Sequence, residues 1–193
     1  MKDLFSVDGK VAIVTGGSRG IGEMIAAGYL ANGAKVYISS RKADVCDATA
    51  KRLGEQFGGE CISLPADMSN LAGIEAFAEE FKARESHLDI LVNNAGVAWG
   101  APLEDFPEMG WDKVMDTNVK GVFFLTQKLL PLLEQKASNT TPTHVINVGS
   151  IDGIKTPVFD NFSYGPSKAA VHHLTRVLAA HLIKRNIIVN GIA

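Results

Sequence analysis

A phenol and an ammonium stand four residues apart in Tyr164-Gly165-Pro166-Ser167-Lys168, a spacing that puts both on one face of a helix. Pro166 fits that helix only in its first turn, where its missing N–H leaves no bond unmade. The pair is therefore expected near a helix N-terminus. A free phenol has a pKa of ~10, and bringing it to ~7 for proton transfer needs about 4 kcal/mol of preferential stabilisation of the phenolate. One cation at about 4 Å in an effective dielectric of ~20 supplies that much, and Lys168 is placed to be that cation. Alone, Tyr-x-x-x-Lys is more often a structural pair.

A second group of residues has the chemistry of an anion site. Thr15-Gly16-Gly17-Ser18-Arg19-Gly20-Ile21-Gly22 follows the apolar run Val11-Ala12-Ile13-Val14 and leads into a segment of helical period from Gly20 to Asn32. Glycines here let the chain turn tightly and let a pyrophosphate approach backbone N–H groups at the positive end of a helix. The spacing is Gly-x-x-x-Gly-x-Gly, not the Gly-x-Gly-x-x-Gly of longer dehydrogenases, and a plain glycine-rich turn would satisfy it too. Gly16, Ser18, Arg19, Gly20, Ile21 and Gly22 are the expected contacts. Dinucleotide folds select the ribose at the end of the second strand, with an acid for NAD or an Arg for the 2′-phosphate of NADP. That position reads Ser39-Ser40-Arg41-Lys42. No acid is there, Arg41 offers a fork of donors matched to phosphate, and Arg19 adds a second charge, so NADP is the expected cofactor. A solvated Arg41 is the plainer alternative.

The elements that must hold these groups alternate. Strand-like runs at 11–14, 35–39, 61–65, 90–93, 144–148 and 187–190 are separated by segments of helical period, which predicts a parallel sheet. The runs are nearly all apolar, so both faces are expected to be covered, as in a doubly wound, Rossmann-like α/β fold. Residues 137–143 read as a surface loop. Long amphipathic segments, 111–134 and 163–184, are suited to packing on each other or on another subunit.

Composition narrows the class. The chain has 193 residues, 46% of them hydrophobic, with 19 basic against 21 acidic side chains, which predicts one globular domain with no footprint for nucleic acid or an anionic membrane. A small molecule is the expected partner. Cys46 and Cys61 have neither metal-ligand nor CxxC spacing; no metal site is expected. The first residues carry an acid where a signal peptide would turn apolar, and no run approaches a spanning helix, so a cytoplasmic location is expected and the sequon at Asn139 is read as chance.

Taken together, Thr15-Gly16 to Gly22, Asn93-Asn94-Ala95-Gly96, Asn118, Ser150 and Tyr164 to Lys168 resemble the short-chain dehydrogenase/reductase family in order and spacing, over the chain from about residue 8. The stretches at 37–42, 65–69 and 99–104 are most like the NADPH-dependent 3-oxoacyl-[acyl-carrier-protein] reductases, in the branch of rhamnolipid-synthesis type. The resemblance implies that Tyr164 protonates a substrate carbonyl, Ser150 holds its oxygen, Lys168 binds the nicotinamide ribose, and Asn118 holds a relay water. It implies that Asn94, Ala95 and Gly96 line the adenosine ribose side. Asp67 has two open roles, an adenine contact or a helix cap. Trp99 and Trp111 are either packing residues or the lining of an acyl site; His172, His173 and His181 lack ligand companions and are read as structural or exposed.

The implied substrate is a carbonyl or alcohol compound, with an acyl-carrier-bound 3-oxoacyl thioester the first choice and a sugar, polyol or steroid the alternative. A non-catalytic nucleotide-binding protein is the rival class, since fold does not fix function. The resemblance further implies more chain after Ile192, so 1–193 is expected to be one dinucleotide-binding and catalytic domain, incomplete at its C-terminus with the last strand missing, from a homo-oligomeric parent.

Overall fold

The aliphatic and β-branched runs form six parallel strands: β1 (Val11–Thr15), β2 (Lys35–Ser39), β3 (Cys61–Ser63), β4 (Ile90–Asn93), β5 (Thr143–Val148) and β6 (Ile187–Ile192). They lie in the order β3-β2-β1-β4-β5-β6 in the computed structural model, which describes residues 5–156 and 158–193. Side chains alternate between the faces of each strand. On one face Ala26 and Leu30 of α1 (Gly20–Ala31), with Cys46, Ala50 and Leu53 of α2 (Ala43–Phe57), pack on Ala12, Val14, Val36, Ile38 and Val92. On the other, Phe77 and Phe81 of α3 (Leu71–Arg84), Leu129 and Leu133 of α5 (Gly121–Glu134) and Leu182 of α6 (Tyr164–Leu182) cover Ile13, Tyr37, Leu91, Val145 and Ile187. The doubly wound fold is thus the one expected.

Three details differ from the sequence reading. Coverage of both faces holds for β1 and β4 but fails beyond: in β5, Thr143, Val145 and Asn147 are buried while His144, Ile146 and Val148 are only half-buried, and the last three residues of β6 are exposed. The reason is that the core under α1 and α2 takes in Ile146 and Val148 of β5 only as partly buried members and includes no residue of β6. The third strand stops at Ser63, short of Pro65, although the Leu64 amide still reaches Ile38 O at 2.9 Å; Pro65 has no N–H to give a ladder. The helix expected over 111–134 begins earlier, as α4 (Glu108–Met115), and passes through one wide turn at Asp116–Lys120 before α5. There the Gly121 amide reaches back to Asp116 O, the i→i+5 bond of a π turn.

Buried amides tie the sheet to its helices just below the strand ends. Asn93 and Asn147 are register partners on β4 and β5. Asn93 Nδ2 donates to Asn147 Oδ1 at 2.9 Å and to Thr126 Oγ1 of α5 at 3.3 Å, while Asn147 Nδ2 donates to Thr175 Oγ1 of α6 at 2.9 Å. Every member is nearly sealed from solvent, where an unpaired amide would cost about 1–3 kcal/mol.

Among the described residues the outer edge of β6 pairs with no strand. The strand has no charge and no proline, and the sheet face beside it is half bare, so it is a template for another chain. A polypeptide of these 193 residues is expected to self-associate, and Ile188→Lys, a charge on the bare face, to reduce that association. Sedimentation velocity checks both. A wild-type monomer at micromolar concentration would contradict the expectation.

Candidate active site

The ends of β1, β2 and β4 open into a cleft of about 350 Å³, where the strand order reverses between β1 and β4, the usual ligand crevice of an open α/β sheet. Gly16, Ser18, Arg19, Gly20, Ile21 and Gly22 line it, and so do Ser40, Arg41, Asp67, Asn94, Ala95 and Gly96. Of the residues expected to bind a cofactor, only Tyr164 and Lys168 fall outside this lining. Ser39, Ala66, Met68, Val97 and Thr117 also line the cleft and were missed. The first four adjoin expected residues at strand ends, which was the available signal; Thr117 lies in the π turn, for which the sequence carries none.

The loop before α1 can fold back tightly against Asn94 only because Gly16 and Gly22 carry no side chain. Gly16 has φ +65°, and a Cβ there would stand 2.9 Å from Asn94 Nδ2; a Cβ on Gly22 would overlap Gly16 O. Arg19 occupies the N-cap of α1 without a side-chain cap bond, so no side chain competes for the amides of the first turn. Thr15 Oγ1 accepts from the amides of Asn94 and Ala95, both at 3.0 Å, and Asn94 Nδ2 returns a bond to Thr15 O at 2.9 Å. The Asn94 amide group is therefore spent on shaping the loop.

At the far end of the cleft Arg19 and Arg41 are exposed, and among the described residues neither is paired with a carboxylate. The Ser39 hydroxyl, 1% exposed, has no partner, while Ser40 Oγ donates to Lys42 O at 3.2 Å. The cap role weighed for Asp67 belongs to Asn70, whose Oδ1 accepts from Gly73 N; Asp67 Oδ1 accepts instead from Ser69 N in a local turn. Its half-buried carboxylate faces the cleft.

Asn118 and Lys168 meet beside Gly96, with the Lys168 ammonium over the Tyr164 ring and Ser150 two residues past the Val148 carbonyl that Lys168 binds. A Cβ on Gly96 would lie 3.5 Å from both Asn118 Oδ1 and Lys168 Nζ. The Asn118 side chain clasps Val97, accepting from its N and donating to its O at 2.9 Å each, and donates to Ser167 Oγ at 3.0 Å. Ser167 Oγ donates in turn to Tyr164 O at 2.7 Å. The Asn118 side chain is thus occupied by protein, which leaves its backbone for the expected relay water. Pro166 falls in the first turn of α6, as the sequence required.

Lys168 is 5% exposed. Its Nζ donates to Val148 O at 2.8 Å and lies over the Tyr164 ring, 5.6 Å from the centroid. Burial lowers its pKa to about 8. Ser150 Oγ accepts from Asp152 N at 3.2 Å, which leaves the hydroxyl proton free to donate outward. Its amide donates to His172 Nε2 at 3.3 Å, so His172 is structural, as read, but bound to a site residue. Trp99 packs on Gly110 with Lys113 over its ring at 5.3 Å, and Trp111 is 42% exposed; the packing reading holds for Trp99. Among the described residues no group of three or more His, Cys, Asp or Glu is arranged for a metal, and no helix is long and apolar enough to cross a membrane.

With this sheet, this loop and this side-chain set, the chain belongs to the short chain dehydrogenase family, whose sequence pattern matches residues 10–193. It is 50% identical, over its full length and 75% of the relative's, to the rhamnolipids biosynthesis 3-oxoacyl-[acyl-carrier-protein] reductase of Pseudomonas aeruginosa. The Pseudomonas aeruginosa RhlG/NADP active-site complex superposes with a TM-score of 0.95 at 50% identity, covering the whole chain and 75% of that structure's chain. A 2-dehydro-3-deoxy-D-gluconate 5-dehydrogenase of Dickeya dadantii is 37% identical over 98% of this chain and 72% of its own.

Proposed function

We propose that the chain is an NADPH-dependent reductase that converts a 3-oxoacyl thioester to the 3-hydroxyacyl product, within a single dinucleotide-binding and catalytic domain. Asn118 and Lys168 meeting at Gly96, with Tyr164 beside Lys168 and Ser150 two residues past the carbonyl that Lys168 binds, next to a cleft lined by Arg19 and Arg41, is the observation that carries this reading. The residues fit the cofactor: a glycine-rich loop at an uncapped helix N-terminus suits a pyrophosphate, and the exposed Arg19 and Arg41 guanidinium groups suit a 2′-phosphate. Lys168 and Tyr164 would hold the ribose next to the nicotinamide, and Asp67 would contact the adenine. NADPH, when bound, supplies the hydride.

The protein's own part is proton handling and orientation. Ser150, its oxygen already accepting from Asp152 N, donates its hydroxyl proton to the substrate carbonyl oxygen. Tyr164 then delivers the proton that makes that oxygen a hydroxyl. Lys168, whose ammonium lies over the Tyr164 ring, stabilises the phenolate left behind. With the Asn118 side chain clasping Val97, the relay water falls to the Asn118 backbone. Ile151 and Ile154, 52% and 65% exposed, follow Ser150 directly and offer an acyl chain apolar contact. The 50%-identical relative named for such a substrate supports the same choice, a cytoplasmic location and a homo-oligomer complete the reading, and the acyl group is carried by an acyl carrier protein.

Loss of NADPH absorbance on adding 3-oxoacyl thioesters, keto sugar acids and simple ketones tests the proposal. Preference for a keto sugar acid would move the assignment towards the function named for the Dickeya relative, and no turnover at all towards a nucleotide-binding protein. Arg41 gives a separate expectation: Arg41→Ala should lower kcat/KM for NADPH by about tenfold or more and change NADH little, since it removes a charge-assisted contact to the 2′-phosphate worth about 1.5–3 kcal/mol. An unchanged NADPH to NADH ratio would remove Arg41 from the site.

A further inference from the structure

Tyr164, Lys168 and His172 follow one another at intervals of four along α6, so they share one face of the helix. His172 meets the end of β5. The Ser150 amide donates to its Nε2 at 3.3 Å, and any side chain at Gly149 would overlap its ring. Gly149 is held from another side by β6, its amide donating to Ile192 O at 2.6 Å. Further on, Gly153 lies so close to α6 that a Cβ there would stand 2.6 Å from Lys168 C and 2.7 Å from Ala169 N. Ser150 is therefore bracketed by two glycines that press its segment onto α6, and between them one side chain binds its backbone.

We propose that His172 is a positioning residue that fixes Ser150 relative to Tyr164 by accepting the Ser150 amide hydrogen. The catalytic consequence rests on the function proposed above; the clamp itself does not. An acceptor at Nε2 requires the neutral ring with its proton on Nδ1. The two halves of Ser150 are then held separately, its amide by His172 and its Oγ by the Asp152 amide. The hydroxyl that orients the carbonyl and the phenol that protonates it are thereby referred to the same helix. Loosening one bond shifts the hydroxyl against the phenol, and misplacements near 1 Å cost up to about 10²-fold in rate.

The test compares His172→Leu, which keeps bulk but offers no acceptor, with His172→Gln, whose Oε1 can accept, and with Gly149→Ala, which pushes the ring aside. Hydrogen exchange of the Ser150 amide is measured by NMR on the ligand-free protein, and kcat and KM with NADPH and a 3-oxoacyl thioester. His172→Leu and Gly149→Ala are expected to speed Ser150 exchange by about tenfold or more. They should lower kcat by about tenfold while KM for NADPH stays within about twofold. His172→Gln should recover both readouts. Unchanged Ser150 exchange in His172→Leu and Gly149→Ala overturns the proposal, as does a kcat loss that His172→Gln fails to recover. If the wild type reduces no carbonyl compound, the functional reading falls, and the exchange comparison alone decides the clamp.

Discussion

Tyr164→Phe is expected to lower kcat by about 10³-fold, within the range of one lost general acid, and to leave NADPH affinity within about twofold. Tyr164 is held in place by its carbonyl, which accepts from Ser167 Oγ at 2.7 Å, and by Lys168 over its ring. Removing the phenolic oxygen breaks neither contact. The cleft lined by Gly16 to Gly22 and by Arg41 does not include Tyr164, so most cofactor contacts survive. Single-turnover kinetics with NADPH fluorescence separates the two effects. Turnover comparable to wild type would mean that another group supplies the proton, and a parallel loss of binding would mean that Tyr164 mainly holds the nucleotide.

Lys168→Met is expected to abolish turnover and yet raise the melting temperature of the ligand-free protein at pH 7 by a few degrees. Burial brings the Lys168 ammonium from 10.5 down to about 8. Between those values the unfolded chain binds a proton that the folded chain has released, so stability rises with pH across that window. Below about 8 both states are protonated and the full cost, about 3 kcal/mol, is present. Methionine removes that cost and leaves Val148 O without its donor, a loss of about 1–2 kcal/mol. The net gain is about 1–2 kcal/mol, or about 2–8 °C for a chain of this size. It should shrink as the pH approaches 10, where wild-type Lys168 is itself neutral. A lower melting temperature for the variant at pH 7 would show that the ammonium stabilises this fold.

Most of the framework was legible because it follows from local pattern. Apolar runs placed every strand, and Pro166 located the start of α6 by its missing N–H alone. What was hidden depends on neighbours distant in sequence. The π turn adds one residue to an otherwise continuous apolar period, too small a change to read between Trp111 and Glu134. Asn118 was found by its place among the motifs, but its bond to Val97 needs two loops brought side by side. His172 gave no sign because its partner is a backbone amide, and a main-chain N–H looks alike at nearly every position. Asp67 and Asn70 are equally good caps by type; only the fold shows which one faces Gly73. The half-bare face of β5 and β6 was misjudged because hydrophobicity shows what a strand can bury, not whether a helix arrives to bury it.

The lining of the cleft has a consequence for how this molecule can be varied. Apart from Thr117, every lining residue lies between Gly16 and Val97, whereas Ser150, Tyr164 and Lys168 all follow in the second half of the chain. The lining of the cleft and the residues proposed for proton handling are thus written in consecutive stretches of sequence. They meet in space at Gly96, between Asn118 and Lys168, and at Val97, which Asn118 clasps. A crossover placed in the loop after Val97 would carry the nucleotide preference as one block and leave the proton-handling residues unaltered, so cofactor choice and substrate choice can be inherited, or recombined, independently.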